Sequence, residues 1–265
     1  MRALSALSGA ARVRGVFCDI DDTLTTGGRL TAEAYAAMER LRFSGRLVVP
    51  VTGRPAGWCD HIARMWPVDA VVGENGAFYF WHDAERRRLV KRFVDDEATR
   101  TGNRSRLALV RSRILREVPG AAAASDQLYR ESDLAIDFCE DVSRLPDASI
   151  ERIVAIMKES GMTAAVSSIH VNGWFGDYNK LVMTRLLMRE RFGIDLDCER
   201  ADYVFVGDSP NDAPMFEYFP HSVGVANVGD FGRQLAHEPA YVTVRRCGAG
   251  FAELVDLIIG AGVAT

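Results

Sequence analysis

Short apolar runs recur along the chain, several of them ending in a polar or glycine-rich turn that leads into a helical pattern. Val16-Phe17-Cys18 runs into Asp19, and Leu47-Val48-Val49-Pro50-Val51 runs into Thr52-Gly53-Arg54. Ala70-Val71-Val72 leads to Gly73-Glu74-Asn75-Gly76. Tyr203-Val204-Phe205-Val206 precedes Gly207-Asp208, and Val223-Gly224-Val225 and Tyr241-Val242-Thr243-Val244 follow. Unbroken apolar runs of this length fit strands buried on both faces, as in a parallel sheet. Helical patterns lie between them over 31–44, 58–65, 180–192, 212–219 and 250–259, with Thr31 placed to cap the first. The alternation predicts a doubly wound α/β sheet.

The middle of the chain has another pattern. Residues 85–116 are highly charged and rich in arginine, and Leu107, Val110, Ile114 and Leu115 keep a helical period within them. Leu134-Ala135-Ile136-Asp137-Phe138 partly alternates, as a one-faced strand does. A second amphipathic helix is expected over 150–160 and another strand over 162–171. This reads as an α+β module with an exposed sheet face.

Composition narrows the class. Lys plus Arg number 32 against 36 Asp plus Glu, a formal charge of −4, which argues against a general nucleic-acid binder. No stretch has the length of apolar sequence that spans a bilayer, and residues 1–15 lack the apolar core of a signal peptide, so a cytoplasmic protein is expected. The five cysteines are widely spaced and form no C-x-x-C pair, so they read as reduced thiols.

Four polar clusters occupy expected strand ends, where open α/β sheets bind their ligands. They are Asp19-Ile20-Asp21-Asp22-Thr23, Thr52-Gly53-Arg54, Lys180, and Gly207-Asp208-Ser209-Pro210-Asn211-Asp212. Asp19 to Thr52 is 33 residues and Lys180 to Asp208 is 28, each about one βαβ unit. Thr52 to Lys180 is 128 residues, so a module of domain size is inserted there. Carboxylates at neighbouring strand ends repel unless a cation joins them, and hard oxygen ligands beside a phosphate suit Mg²⁺. Thr52, the backbone after it and Lys180 would supply donors to phosphoryl oxygens. A carboxylate could then attack phosphorus, with Asp21 serving as acid and then base.

The constellation resembles the haloacid dehalogenase-like superfamily of phosphohydrolases. All four of its motifs are matched: D-x-D-x-T at Asp19, Asp21 and Thr23, then Thr52, then Lys180, and G-D-x-x-N-D over 207–212. Glu74-Asn75-Gly76-Ala77 is similar to the E-N-G-A stretch of the Cof-like and sucrose-phosphatase-like branch, whose insert is a C2B cap. The resemblance implies a Rossmann-like core over 1–82 and 178–265, with an inserted substrate-selecting α+β cap over 83–177. It also implies that Asp19 is the nucleophile and a Mg²⁺ ligand. Asp21 becomes the acid/base with its backbone carbonyl on the metal, Asp208 and Asp212 become further ligands, and Thr52, Gly53, Lys180 and Asn211 the phosphate binders.

Other residues admit two readings. Arg54 could meet substrate or pair with a carboxylate, and Glu74 and Asn75 could touch substrate or only shape a turn. His170, Asn172 and Trp174, in a polar and aromatic segment leading to Lys180, are the candidates for substrate selection, against an ordinary cap strand and hinge. The function expected is Mg²⁺-dependent hydrolysis of a small phosphorylated metabolite, a sugar or polyol phosphate, through an aspartyl phosphate. The alternatives are a phosphomannomutase-like mutase and a catalytically silent regulator that binds phospho-ligands. The small metabolite is the expected partner, with neither nucleic acid nor membrane.

Overall fold

A computed structural model describes residues 1–263. Its central sheet has six strands, all parallel, in the spatial order Arg2–Ala3, Tyr241–Val242, Ser222–Gly224, Tyr203–Gly207, Gly15–Cys18 and Leu47–Pro50. The strand residues divide between two apolar clusters. Val16, Cys18, Val48, Val204 and Val206 join one, with the helices Ala32–Phe43 and Cys247–Val263. Phe17, Val49, Tyr203 and Phe205 join the other, with Lys180–Leu187 and Ala213–Tyr218. Because side chains alternate along a strand, an unbroken apolar run is what a sheet covered on both faces requires. The doubly wound α/β core is therefore as the pattern predicts. Thr31 caps its helix as expected, its hydroxyl accepting from the Ala34 amide at 3.3 Å. The helix expected over 180–192 is α-helical to Leu187 and widens to a π turn over Met188–Phe192.

A three-stranded antiparallel ribbon, Val71–Gly73, Phe78–Asp83 and Arg88–Phe93, joins the edge of this sheet through a bridge between Val51 and Val72. Phe78 stacks on Phe80 with centroids 4.2 Å apart, and Phe93 lies against both. The boundary expected at 82/83 thus falls inside a hairpin that packs with the core. The charged run Glu85-Arg86-Arg87-Arg88 marks the turn of that hairpin, with Arg87 at φ 53°, rather than entry into a new module.

The inserted unit has its own apolar cluster, running from Leu107 to Phe175. Its antiparallel sheet is ordered Thr163–Val166, His170–Trp174, Asp133–Asp137 and Ala122–Ala123. Helices Glu97–Glu117 and Asp147–Glu159 pack on one face through Leu107, Val110, Ile114, Ile153 and Ile156, against Leu134, Ile136 and Val171. The single strand expected over 162–171 is instead a hairpin. It turns at Ser167–Ile169, where the Ser167 hydroxyl accepts from the His170 amide at 3.0 Å. The strand expected to be one-faced is buried at all five positions, because its second face lies over the core strand ends. Among the described residues no helix is long and apolar enough to cross a membrane.

Candidate active site

Asp19 follows directly on the strand Gly15–Cys18, its amide donating to Val206 O at 2.9 Å, so the first residue past the ladder is still fixed by the neighbouring strand. Lys180 begins a helix capped by Asn179, whose Oδ1 accepts from the Val182 amide. Its Nζ donates to Asp19 Oδ1 at 2.7 Å and to Asp212 Oδ1 at 2.8 Å. The other Asp212 oxygen accepts from the Asp208 amide at 3.1 Å. Asp208 takes a hydrogen bond from Thr23 Oγ1 at 3.3 Å and another from Asn227 Nδ2 at 3.2 Å.

Asp19, Asp208 and Asp212 each offer an oxygen within 4.8 Å of the others, and all three are buried. Burial pushes Asp19 up to about 7; Lys180 opposes the shift, while the charges of Asp212 and Asp21 add to it. Burial pushes Asp208 well above the usual carboxylate range, and Asp19 and Asp212 add to the effect. One lysine does not balance three crowded carboxylates. The hard, anionic donor set fits a small divalent cation, which would relieve the repulsion among the three carboxylates.

Thr52 is fully buried, and its hydroxyl accepts from the Arg54 amide at 3.1 Å. Gly53 lies against the Asn75 amide: a Cβ there would stand 3.2 Å from Asn75 Nδ2 and Oδ1. Asn75 is itself left-handed, at φ 55°, and its own backbone amide donates to Thr52 O. Asn211 sits in the turn after Asp208, its Oδ1 accepting from Ser209 Oγ at 2.8 Å. Gly76, at φ +105°, brings the chain so close to the start of the Lys180 helix that a Cβ would lie 2.1 Å from Asn179 O. Only glycine suits both that conformation and that approach.

Arg54 is 5% exposed and pairs with a carboxylate, the second of its two readings. Its Nε lies 3.0 Å from both oxygens of Asp21, and its Nη2 lies 2.7 Å from Asp21 Oδ1. It also reaches two acids of the inserted unit, Glu140 at 3.2 Å and Asp126 at 3.6 Å. Trp58 covers the guanidinium at 4.4 Å. His170 Nε2 lies 2.9 Å from Glu140 Oε2, close but off the line of a hydrogen bond. Asn172 donates to Asp133 at 3.0 Å.

Asp19, Asp21, Gly53, Arg54, His170, Asn172 and Asn211 line one cavity of about 20 Å³, room for about one water, so the inserted unit stands closed over the strand ends. Trp174 is elsewhere. It stacks on Tyr178, donates to Tyr178 O at 3.1 Å and joins the core cluster, so it anchors the return crossing and lines a separate cavity with Asn75 and Lys180.

Two contributors are absent from the sequence reading, and a third has a role beyond either considered for it. Arg130 is buried, reaching Asp126 and Asp133 at 3.0 Å each and Gly53 O at 2.9 Å. Glu140 meets Arg54 from the inserted unit. Glu74, left open between turn and substrate, does neither task alone: its carboxylate accepts from the Ala56 amide at 2.9 Å and from the amides of Glu131 and Ser132, tying the two units together. Burial raises Glu74 to about 8, with Asp133 adding and Arg130 opposing. Pairing across two units leaves no periodicity to detect, and the arginine-rich stretch 85–116 contains none of the three.

Comparison with known proteins agrees with this geometry. Residues 16–101 match the profile of the haloacid dehalogenase-like hydrolase family. No curated protein sequence matches the chain. Among solved structures, a HAD/COF-like hydrolase from Plasmodium vivax superposes with a TM-score of 0.70 at 17% identity, covering 97% of this chain and 99% of that one. The sucrose-phosphatase of Synechocystis sp. PCC6803 gives 0.64 at 15% identity, covering 92% and 97%. A HAD subclass IIB sugar phosphatase gives 0.60 at 14% identity, covering 87% and 93%. Residues 16–101 are thus similar to haloacid dehalogenase-like hydrolases, and the whole chain, with its motif row at the strand ends and its inserted α+β unit, shares the fold of HAD/COF-like and sucrose-phosphatase structures.

Proposed function

We propose that the protein is a Mg²⁺-dependent phosphatase that hydrolyses a small phosphorylated metabolite, a sugar or polyol monophosphate, through an aspartyl phosphate on Asp19. The observation that carries this reading is the placement of Asp19 between Lys180 at 2.7 Å and the Asp208–Asp212 pair, under a closed cover. The sugar phosphatases among the structural relatives support the substrate class.

Asp19, Asp208 and Asp212, with the backbone carbonyl of Asp21, would hold the cation. When bound, it neutralises the negative charge that would otherwise keep the Asp19 carboxylate and the phosphoryl oxygens apart. The remaining steps belong to the chain. Lys180, Thr52 Oγ1, the Gly53 amide and Asn211 orient the phosphoryl group and stabilise the charge on its equatorial oxygens. Asp19 attacks phosphorus and Asp21 gives its proton to the leaving alcohol. Asp21 then takes a proton from the water that attacks the aspartyl phosphate, releasing phosphate and restoring Asp19. The inserted unit excludes bulk water and presents His170 and Asn172 to the leaving group.

Phosphate release from a panel of sugar and polyol monophosphates, with Mg²⁺ and with chelator, tests the proposal. Metal-dependent release supports it. Transfer of the phosphoryl group to another position of the sugar, without free phosphate, would replace it with the mutase. No turnover on any ester, together with binding of phosphate, would make the protein a silent binder.

A further inference from the structure

The cations that face the closed site from the leaving-group side are already spoken for. Among the described residues, the guanidinium groups lining the small cavity are those of Arg54 and Arg130. Arg54 is met by Asp21 at 2.7 Å, Glu140 at 3.2 Å and Asp126 at 3.6 Å. Arg130 is met by Asp126 and Asp133, each at 3.0 Å. Two guanidinium groups therefore face four carboxylates, in a site whose side chains are mostly buried. The rest of the lining from the inserted unit is neutral or weakly basic: Ser167, Ser168, Ile169, His170 and Asn172.

We infer that Glu140 is a specificity-determining residue, which reserves the site for monophosphate esters of uncharged, hydroxylated alcohols by occupying the outward-facing end of Arg54. This rests on the phosphatase reading and goes beyond it, since that reading says nothing about the charge of the alcohol. An arginine fork grips carboxylate and phosphate well when it is free. Here Nη2 of Arg54 is shared between Asp21 and Glu140, and the His170 imidazole lies beside Glu140, its Nε2 2.9 Å from Oε2. A leaving group bearing a carboxylate or second phosphate would have to displace Glu140 or lie beside it unpaired. The Glu140 side chain is 31% exposed while the guanidinium it meets is buried, so a second anion there would meet a like charge in place of a free cation. Hydroxyls meet no such obstacle, because Ser167, Ser168 and Asn172 offer neutral donors and acceptors.

Two matched pairs of esters provide the test: glucose 6-phosphate against 6-phosphogluconate, and fructose 6-phosphate against fructose 1,6-bisphosphate. For the wild-type enzyme with Mg²⁺, kcat/KM should favour the neutral member of each pair by about tenfold or more. Glu140→Gln should narrow both ratios at least several-fold, chiefly by lowering KM for the anionic members. Glu140→Asp keeps the charge and should keep the wild-type order. Thermal unfolding of each variant separates a lost fold from a changed preference, and activity on p-nitrophenyl phosphate checks that the core still turns over. Wild-type preference for the anionic members would overturn the inference, as would unchanged ratios in a folded, active Glu140→Gln. Failure of the wild type to release phosphate from any ester, p-nitrophenyl phosphate included, would instead strike the phosphatase reading.

Discussion

At the ends of the core strands three buried carboxylates, Asp19, Asp208 and Asp212, crowd around the single ammonium of Lys180. Between the core and the inserted unit, Asp21, Asp126, Asp133 and Glu140 are instead met by two guanidinium groups. Each cluster has two more carboxylates than cations, but Asp208 of the first meets only neutral donors, whereas every acid of the second meets a guanidinium. The second is largely completed by the chain itself, and it joins the two units. Under the proposed function, the acid without a cation of its own marks where a divalent ion would sit, whereas the paired acids join the two units.

The largest effect should come from the strand-end cluster. Asp19→Asn should lower phosphate release by on the order of 10⁴-fold or more while keeping the fold, as loss of an essential nucleophile does. Substantial residual turnover would falsify its assignment as the attacking group. On the paired side, Arg130→Met leaves Asp126 and Asp133 without their partner and should cost about 3–5 kcal/mol of stability, measured by denaturant unfolding. A change below about 1 kcal/mol would show that the pairing carries little.

The third expectation concerns pH. Asp19 at about 7 and Glu74 at about 8 lie above their unfolded values, so between roughly pH 4 and 8 the folded protein binds protons that the unfolded chain has lost. Stability without a divalent cation should therefore fall as pH rises through that window. In chelator, the unfolding temperature should be lower at pH 8 than at pH 6 by about 3–6 °C, and Mg²⁺ should recover part of the difference at pH 8. Equal unfolding temperatures at the two pH values, with and without Mg²⁺, would remove the distinction between the clusters.

The smallest effect belongs to Asn172, which touches the paired network through Asp133 and also lines the cavity. Asn172→Ala should reorder a panel of sugar phosphates by about 1 kcal/mol in kcat/KM and leave p-nitrophenyl phosphate nearly unchanged. Trp174→Ala should act differently, lowering stability rather than changing preference, because its ring is part of the core.

The strand-end cluster was legible in the sequence because chemistry there is local. Asp19, Thr52 and Asp208 each stand just past a run of buried strand residues, and that position can be read without a structure. The turn at Ser167–Ile169 was not legible, since it holds neither glycine nor proline and its hydroxyl makes the turn instead. Arg54 was visible as a residue but not as a bridge, because Glu140 and Asp126 stand far from it along the chain. The boundary expected at 82/83 divides the hairpin Phe78–Phe93 and gives its second, charged strand to the insert, although Phe93 packs on Phe78 and Phe80 of the core.

The close approach of Gly76 to Asn179 bears on how such a molecule could be diversified or rebuilt. Residues 77–178 leave and re-enter the core at almost the same point, so the segment forms a closed excursion whose ends meet beside Lys180. An excursion of that kind can be lengthened, shortened or exchanged for another without moving any of the four strand-end motifs, because closing a loop depends only weakly on its length. The exchange must keep the contacts the segment makes with the core, the amides of Glu131 and Ser132 on Glu74 among them. The replacement must still supply a hairpin against Val71–Gly73, or the apolar edge that Phe78 and Phe80 now cover would face solvent. Grafting the segment of a relative with a different preference, cut at 77 and 178, should therefore transplant that preference onto this chain's own row of strand-end motifs.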